Sequence, residues 1–152
     1  MNSRRFDAIV RHGALYDGSG EPPRGADVGI AGDRIEAVGS LANASAALEI
    51  DAEGLAVAPG FINILSWAAE PLIHDGRGQS GIRQGVTLEV VGEGFSMGPL
   101  SPAMKRAMQT DQTDIRYEVE WTTLGEFLAW IEKRGISPNI ASFFGTGSLR
   151  AH

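Results

Sequence analysis

The sequence has no cysteine among its 152 residues, which excludes disulfides and cysteine-based zinc sites. It also lacks any run of about 20 apolar residues, the length needed to span a bilayer. No apolar stretch follows the basic pair near the start, so we predict no secretory signal. Lys and Arg form no stripe and the net charge is −6, which argues against nucleic acid or an anionic membrane as a partner. We therefore expect a cytoplasmic protein.

The residues that are present indicate a globular chain, since 43% are hydrophobic and 21% are charged. Residues 6–56 are predicted to form short strands with tight turns. The first strand is Asp7–Arg11, followed by a turn at Gly13. Gly32 and Asp33 separate two alternating segments, a pattern typical of a two-residue hairpin. These features predict a small antiparallel β unit with one buried face.

The pattern changes near Leu55, where apolar strands begin to alternate with helices. A run with little alternation favours a strand that is covered on both faces. The order of strands and helices predicts parallel βα units. The predicted strands are Ala56–Leu65, Val86–Val91 and Asn139–Phe144, and a short helix is predicted over Gln79–Gln84.

Two longer helices are predicted from their capping residues. Ser101 and Pro102 suit the cap and first position of a helix through about Gln109. Thr122 or Thr123 can cap a second helix over Leu124–Lys133, which Gly135 would end. The apolar face of this second helix is Phe127, Leu128 and Ile131. For Phe127 and Trp130 we expect packing roles.

Several segments resemble a known family. Residues 26–39 (ADVGIAGDRIEAVG), 50–54 (IDAEG) and 57–62 (VAPGFI) resemble the opening of amidohydrolase-superfamily enzymes. Residues 82–92 (IRQGVTLEVVG) and 138–145 (PNIASFFG) are similar to the N-acyl-D-amino-acid deacylase branch. These matches run through most of the chain, and it is their combination that makes the resemblance specific.

The resemblance implies an α/β fold with an all-β part. A small β-sandwich over residues 1–56 would lead into the first βα units of a TIM-like (β/α)8 barrel over residues 57–152. That barrel would be incomplete, because it needs eight strands and about 250 residues. The chain stops two residues past Arg150, and we interpret it as a fragment from truncation, cloning or an interrupted reading frame. Such a piece would expose a sheet edge and apolar barrel interior.

The family's first metal motif is altered in this sequence. Relatives read Pro-Gly-Phe-Ile-Asp-X-His-X-His, in which the two His bind a divalent metal that activates water. Here Leu65 and Trp67 occupy the histidine positions and Asn63 replaces the Asp. Neither Leu65 nor Trp67 can ligate a metal, so they mark lost metal-ligand positions. The resemblance places the remaining His ligands and the catalytic Asp beyond His152.

Glu93 is the candidate metal ligand of this chain. It follows the strand Val86–Val91, one residue short of the position where many relatives carry a cysteine ligand, and it lies between two glycines. A carboxylate at the C-terminal end of a barrel strand would suit Zn²⁺. The alternative is a turn carboxylate that pairs with a cation or faces water.

Three further residues are candidates for substrate binding. Trp67 would project where ligands usually lie, or would plug the lost metal site. His74 follows the first strand and has Asp75 beside it to orient it, although a loop His is more often solvated. Ser96 lies in a Gly-X-Ser-X-Gly pattern over residues 94–98, but no partner His is evident and Pro99 prevents the helix that a nucleophile elbow requires.

Two functions follow from the resemblance. The first is a fragment of a metal-dependent amidohydrolase that cleaves linear amide C–N bonds, with Zn²⁺ or another divalent metal in the full-length parent. Its substrate would be a small N-acyl amino acid of D configuration or a similar amide, and the fragment alone would be inactive, with no catalytic residue of its own. The alternative is a non-catalytic amidohydrolase-like binding or assembly protein. The resemblance leaves an oligomer open and implies neither a nucleic-acid partner nor a membrane partner.

Overall fold

The computed structural model describes residues 5–152, which form two units: Met1–Pro59, described from Arg5 onwards, and Gly60–His152. The first unit contains five strands and the second contains three strands and five helices. The strands are β1 (Arg5–Leu15), β2 (Arg24–Ala31), β3 (Arg34–Gly39), β4 (Ser45–Asp51), β5 (Ala56–Val57), β6 (Phe61–Asn63), β7 (Val86–Val91) and β8 (Asn139–Ser142). The helices are α1 (Ala69–His74), α2 (Gln79–Ile82), α3 (Pro102–Thr110), α4 (Leu124–Arg134) and α5 (Thr146–Ala151).

The first unit is one mixed sheet in the order β3-β2-β1-β4, with β5 also paired to β1. β2 and β3 are antiparallel neighbours that turn at Gly32 and Asp33, which confirms the hairpin. The prediction of a purely antiparallel unit is wrong, because β1 pairs in parallel with both β4 and β5. The parallel pairing depends on residues 40–44, which carry the chain from β3 to β4. Arg11 holds that connection by donating to the carbonyls of Leu41 and Ala44.

The predicted turn at Gly13 is also wrong, since β1 continues through it with a bulge between Val10 and Gly13. His12 takes up the irregularity with a left-handed φ of 60°. A side chain at Gly13 would collide with Val57, so the glycine allows β5 to lie beside β1. Sequence alternation alone does not distinguish a bulge from a turn.

The run Ala56–Leu65 is not one strand, contrary to the prediction. Ala56–Val57 pairs with Ala14 and Leu15 of β1 in the first unit, whereas Phe61–Asn63 pairs with β7 in the second. Pro59 and Gly60 lie between the two. Gly60 has no room for a side chain because Thr87 lies against it. Proline cannot donate to a ladder, so it separates two short strands within one apolar run.

In the second unit, β6, β7 and β8 form a parallel sheet with β7 in the centre. This confirms the α/β class with parallel βα units. α3 begins at Pro102 with a Ser101 cap, as predicted, and α4 has a Thr123–Glu126 capping box. α1 and α5 were not predicted.

The core of the second unit lies among its helices and the segments that lead into them. Phe127 and Ile131 of α4 are fully buried, and Leu128 is half-buried beside them. Trp121 contacts both Phe127 and Trp130, with ring centroids 5.0 and 4.9 Å apart. Trp130 also donates from Nε1 to Glu120, which agrees with its expected packing role. Within residues 5–152, no helix is both long enough and apolar enough to cross a membrane.

Candidate functional site

The candidate site lies where β6 and β7 end. Because the three strands of this sheet are parallel, the segments that follow them meet at one edge. Ser66 N donates to Val90 O over 2.9 Å, which keeps the segment after β6 alongside β7. Phe143 N donates to Val91 O over 2.9 Å, which does the same for the segment after β8.

A cleft of about 330 Å³ opens at this edge. The segment after β6, the loop after β7 and the end of α3 with the residues after it all contribute walls. The residues that line it include Ser66, Trp67, Glu70, Glu93, Phe95, Ser96, Met97, Met108, Asp111, Gln112 and Tyr117.

Trp67 and Leu65 are both exposed, by 81% and 53%, whereas Ser66 between them is buried. The alternation places the two residues on the side opposite Ser66. Trp67 lines the cleft. Leucine has no donor atom and the indole nitrogen only donates a proton, so neither Leu65 nor Trp67 can bind a metal.

Glu93 is exposed and lines the same cleft. Gly92 and Gly94 beside it have left-handed φ values of 88° and 76°, which turn the backbone sharply around the carboxylate. Among residues 5–152, no three His, Cys, Asp or Glu side chains form a group that could hold a metal ion. A catalytic zinc site takes three protein ligands. The described residues therefore do not fit a metal centre by themselves.

Ser96 also lines the cleft, but its side chain is 5% exposed and fully engaged. Its hydroxyl donates to Gly98 O over 2.6 Å and accepts from Gly145 N over 3.1 Å. Ser148 is bonded to the backbone N and O of Ser96 over 2.8 and 3.2 Å. We call this pair the serine clasp. The clasp ties the loop after β7 to α5 and so supports the site.

His74 does not join this cleft. It is the exposed last residue of α1 and lines a separate depression with Arg116, Glu118 and Arg134. Both oxygens of the neighbouring Asp75 accept from the Arg77 guanidinium over 2.9 and 3.0 Å. This contact lowers the pKa of Asp75. That Asp75 orients His74 stays a prediction.

His12 belongs to the first unit, where its exposed ring lies 2.9 Å from Asp51. That hydrogen bond raises the pKa of His12. The ring and the carboxylate form an exposed pair between β1 and β4.

Sequence reasoning missed the far wall of the cleft. Tyr117 donates from its hydroxyl to Glu70 over 2.8 Å, and its ring stacks on Trp121 at 6.0 Å. Burial, followed by the bond to Glu70, raises the pKa of Tyr117, so the phenol stays a neutral donor. Gln112 accepts from Tyr117 N and donates to Tyr117 O, which fixes this segment. No local motif marks these residues, since the fold brings them together over many positions.

Asn63 has a partner that the sequence did not reveal. Its Nδ2 donates to Glu89 Oε2 over 2.9 Å, and Glu89 is a buried carboxylate on β7. An amide suits this place because it can donate to the carboxylate, whereas a second carboxylate could not. The pair joins β6 to β7 below the cleft.

Comparisons with known proteins agree with the resemblance. No family model matches the chain. A D-aminoacylase of Alcaligenes xylosoxydans xylosoxydans is 36% identical over 151 residues, covering 99% of this chain and 31% of the relative. An N-acyl-D-aspartate deacylase of the same organism is 32% identical over 148 residues, which cover 95% of this chain and 29% of the relative. The chain thus spans about a third of the length of the curated relatives it matches.

Solved structures give the same result. A D-aminoacylase with a binuclear metal centre, described by one-metal activation and second-metal attenuation, has a TM-score of 0.79 and 34% identity over 96% of this chain. An N-acyl-D-glutamate deacylase of Bordetella bronchiseptica, complexed with zinc and a phosphonate inhibitor, has a TM-score of 0.81 and 28% identity over 97% of this chain. The present chain covers 31% of the length of each of these two structures.

Proposed function

Because this chain is related in sequence and fold to the D-aminoacylases and N-acyl-D-amino-acid deacylases, we propose that the full-length protein is a metal-dependent amidohydrolase. Its reaction is hydrolysis of the linear amide C–N bond of small N-acyl amino acids, with the D configuration expected from the relatives. The observation that carries the proposal is the cleft at the C-terminal ends of β6 and β7, the edge where barrel enzymes of this type hold their substrates.

In this proposal the metal is zinc or another divalent ion, and Glu93 is the one ligand that this chain supplies. The other ligands and the catalytic Asp would come from strands of the barrel beyond those described. A bound divalent ion would lower the pKa of its water to about 7. Glu93 lies on the loop after β7, and the serine clasp holds this loop to α5, which supports a ligand role for the carboxylate.

The test compares variants of the full-length protein. Glu93→Ala should lose most of its bound metal and reduce amide hydrolysis by orders of magnitude, because the activated water depends on the ion. Asp114→Ala, which changes an exposed carboxylate away from the cleft, is the matched control and should behave as wild type. Metal content is measured by mass spectrometry and hydrolysis with paired D and L substrates. Full metal and a near-normal rate in Glu93→Ala would show that Glu93 is not a ligand.

A second function has an observation in its favour. Leu65 and Trp67 fill the positions where the family motif has its histidines, and neither can bind a metal. A non-catalytic binding or assembly protein with this fold would be built in the same way. A full-length wild-type protein that binds no metal and hydrolyses no N-acyl amino acid would favour this reading over the enzyme.

A further inference from the structure

The cleft has an apolar wall in the place where the resemblance would put metal ligands. Trp67 and Phe95 line the cleft and are 81% and 77% exposed, so both aromatic rings are open to a ligand there. The half-buried Met97 and Met108 complete the lining. Methionine is flexible and polarisable, so such a wall adapts to chains of different shape. The volume, about 330 Å³, is at the lower end of the range for small-molecule pockets.

The charges of the cleft are all of one sign. Glu70, Glu93 and Asp111 line it, and none of its lining residues is Lys, Arg or His. An N-acyl amino acid has a neutral acyl end and an anionic carboxylate end. With Glu93 committed to the metal ion of the proposed function, Glu70 and Asp111 would still repel the carboxylate end of the substrate. The acyl end carries no charge and gains by contact with the aromatic and methionine side chains.

We infer that Trp67, Phe95, Met97 and Met108 form an acyl-binding subsite that takes an unbranched or aromatic apolar acyl group. The inference rests on the proposed function and names its substrate class. Trp67, at the position of a metal ligand in the family motif, would then contact the acyl group of the substrate instead. The subsite selects substrates by the length of the acyl chain and rejects acyl groups that end in a carboxylate.

The kinetic test uses the full-length protein and one amino acid carrying acetyl, butyryl, hexanoyl or succinyl groups. In wild type, kcat/KM should rise roughly fourfold for each methylene that enters the subsite. Trp67→Ala should lower the hexanoyl-to-acetyl ratio of kcat/KM by roughly tenfold or more. Trp130→Phe, which changes an indole on α4 away from the cleft, should leave the ratio unchanged. Equal ratios in wild type and Trp67→Ala, or a preference for succinyl over butyryl, would overturn the subsite.

A binding test separates the subsite from the proposed reaction. Hexanamide, a neutral probe, should change tryptophan fluorescence in wild type and in Trp130→Phe, but not in Trp67→Phe, while acetamide should have little effect. If hexanamide binds in this way and no N-acyl amino acid is hydrolysed, the subsite stands and the proposed function fails. If hydrolysis occurs without dependence on acyl length and hexanamide gives no Trp67 signal, the function stands and the subsite is refuted.

Discussion

Removing the Ser96 hydroxyl should loosen the loop that carries Glu93. The hydroxyl satisfies Gly98 O and Gly145 N, and it is buried. Leaving a buried polar group without a partner costs about 1–3 kcal/mol, so we expect Ser96→Ala to cost about 2–6 kcal/mol for the two groups. The methyl group of alanine fits the same space, so the loss is one of hydrogen bonds rather than of packing.

Hydrogen exchange followed by mass spectrometry measures this loss locally in the full-length protein. The Gly145 amide should lose protection by roughly 30-fold or more, the equivalent of at least about 2 kcal/mol. Ser80→Ala, at an exposed position of α2, is the control and should leave exchange unchanged. If Ser96→Ala lowered the free energy of unfolding by less than about 0.5 kcal/mol, the stabilising role of the serine clasp would be refuted. Unchanged protection together with abolished turnover would also refute it, since that result would mark Ser96 as a nucleophile.

Two further predictions concern single contacts. Asn63→Asp should destabilise the protein by about 1–3 kcal/mol at neutral pH, because it sets a second carboxylate beside the buried Glu89. Thermal unfolding should show that this loss of stability becomes smaller at acidic pH. The additional substitution Glu89→Gln should restore the stability. Glu126 accepts backbone hydrogen bonds from Thr122 and Thr123, which lower its pKa, so its stabilisation is present above the unfolded pKa of a glutamate and lost as pH falls through the lower folded value. Glu126→Gln should therefore flatten the acid limb of the stability profile, and an unchanged acid limb would contradict this account.

Features fixed by a few neighbouring residues could be predicted from the sequence. The Gly32–Asp33 hairpin and the helix from Thr123 to Gly135 depend on turn and capping residues next to each other in the chain. α1 escaped prediction because it is short, contains Pro71 and has no capping side chain. The parallel pairing of β1 with β4 depends on contacts between distant residues, which local patterns do not encode.

In the candidate site too, some features could be predicted from the sequence and others depend on contacts between distant residues. Chain order placed Trp67 and Glu93 at one edge of the sheet, because each follows a parallel strand. The role of Ser96 could not be read from its Gly-X-Ser-X-Gly pattern, since its partner Ser148 is 52 residues away. Tyr117 likewise reaches Glu70 only through the packing of the helices.

The position of β7 between β6 and β8 has a consequence for the order of folding during synthesis. The buried hydrophobic cluster under the helices draws its residues from Leu72 to Ile131, all of them made before β8 begins at Asn139. At roughly 5–20 residues per second, the ribosome needs several seconds to add residues 92–138 after β7. During that time β7 has β6 on one side and an open edge on the other. All the buried residues of this core are therefore synthesised before β8, which then completes the sheet by pairing with Leu88–Val91 at the free edge of β7.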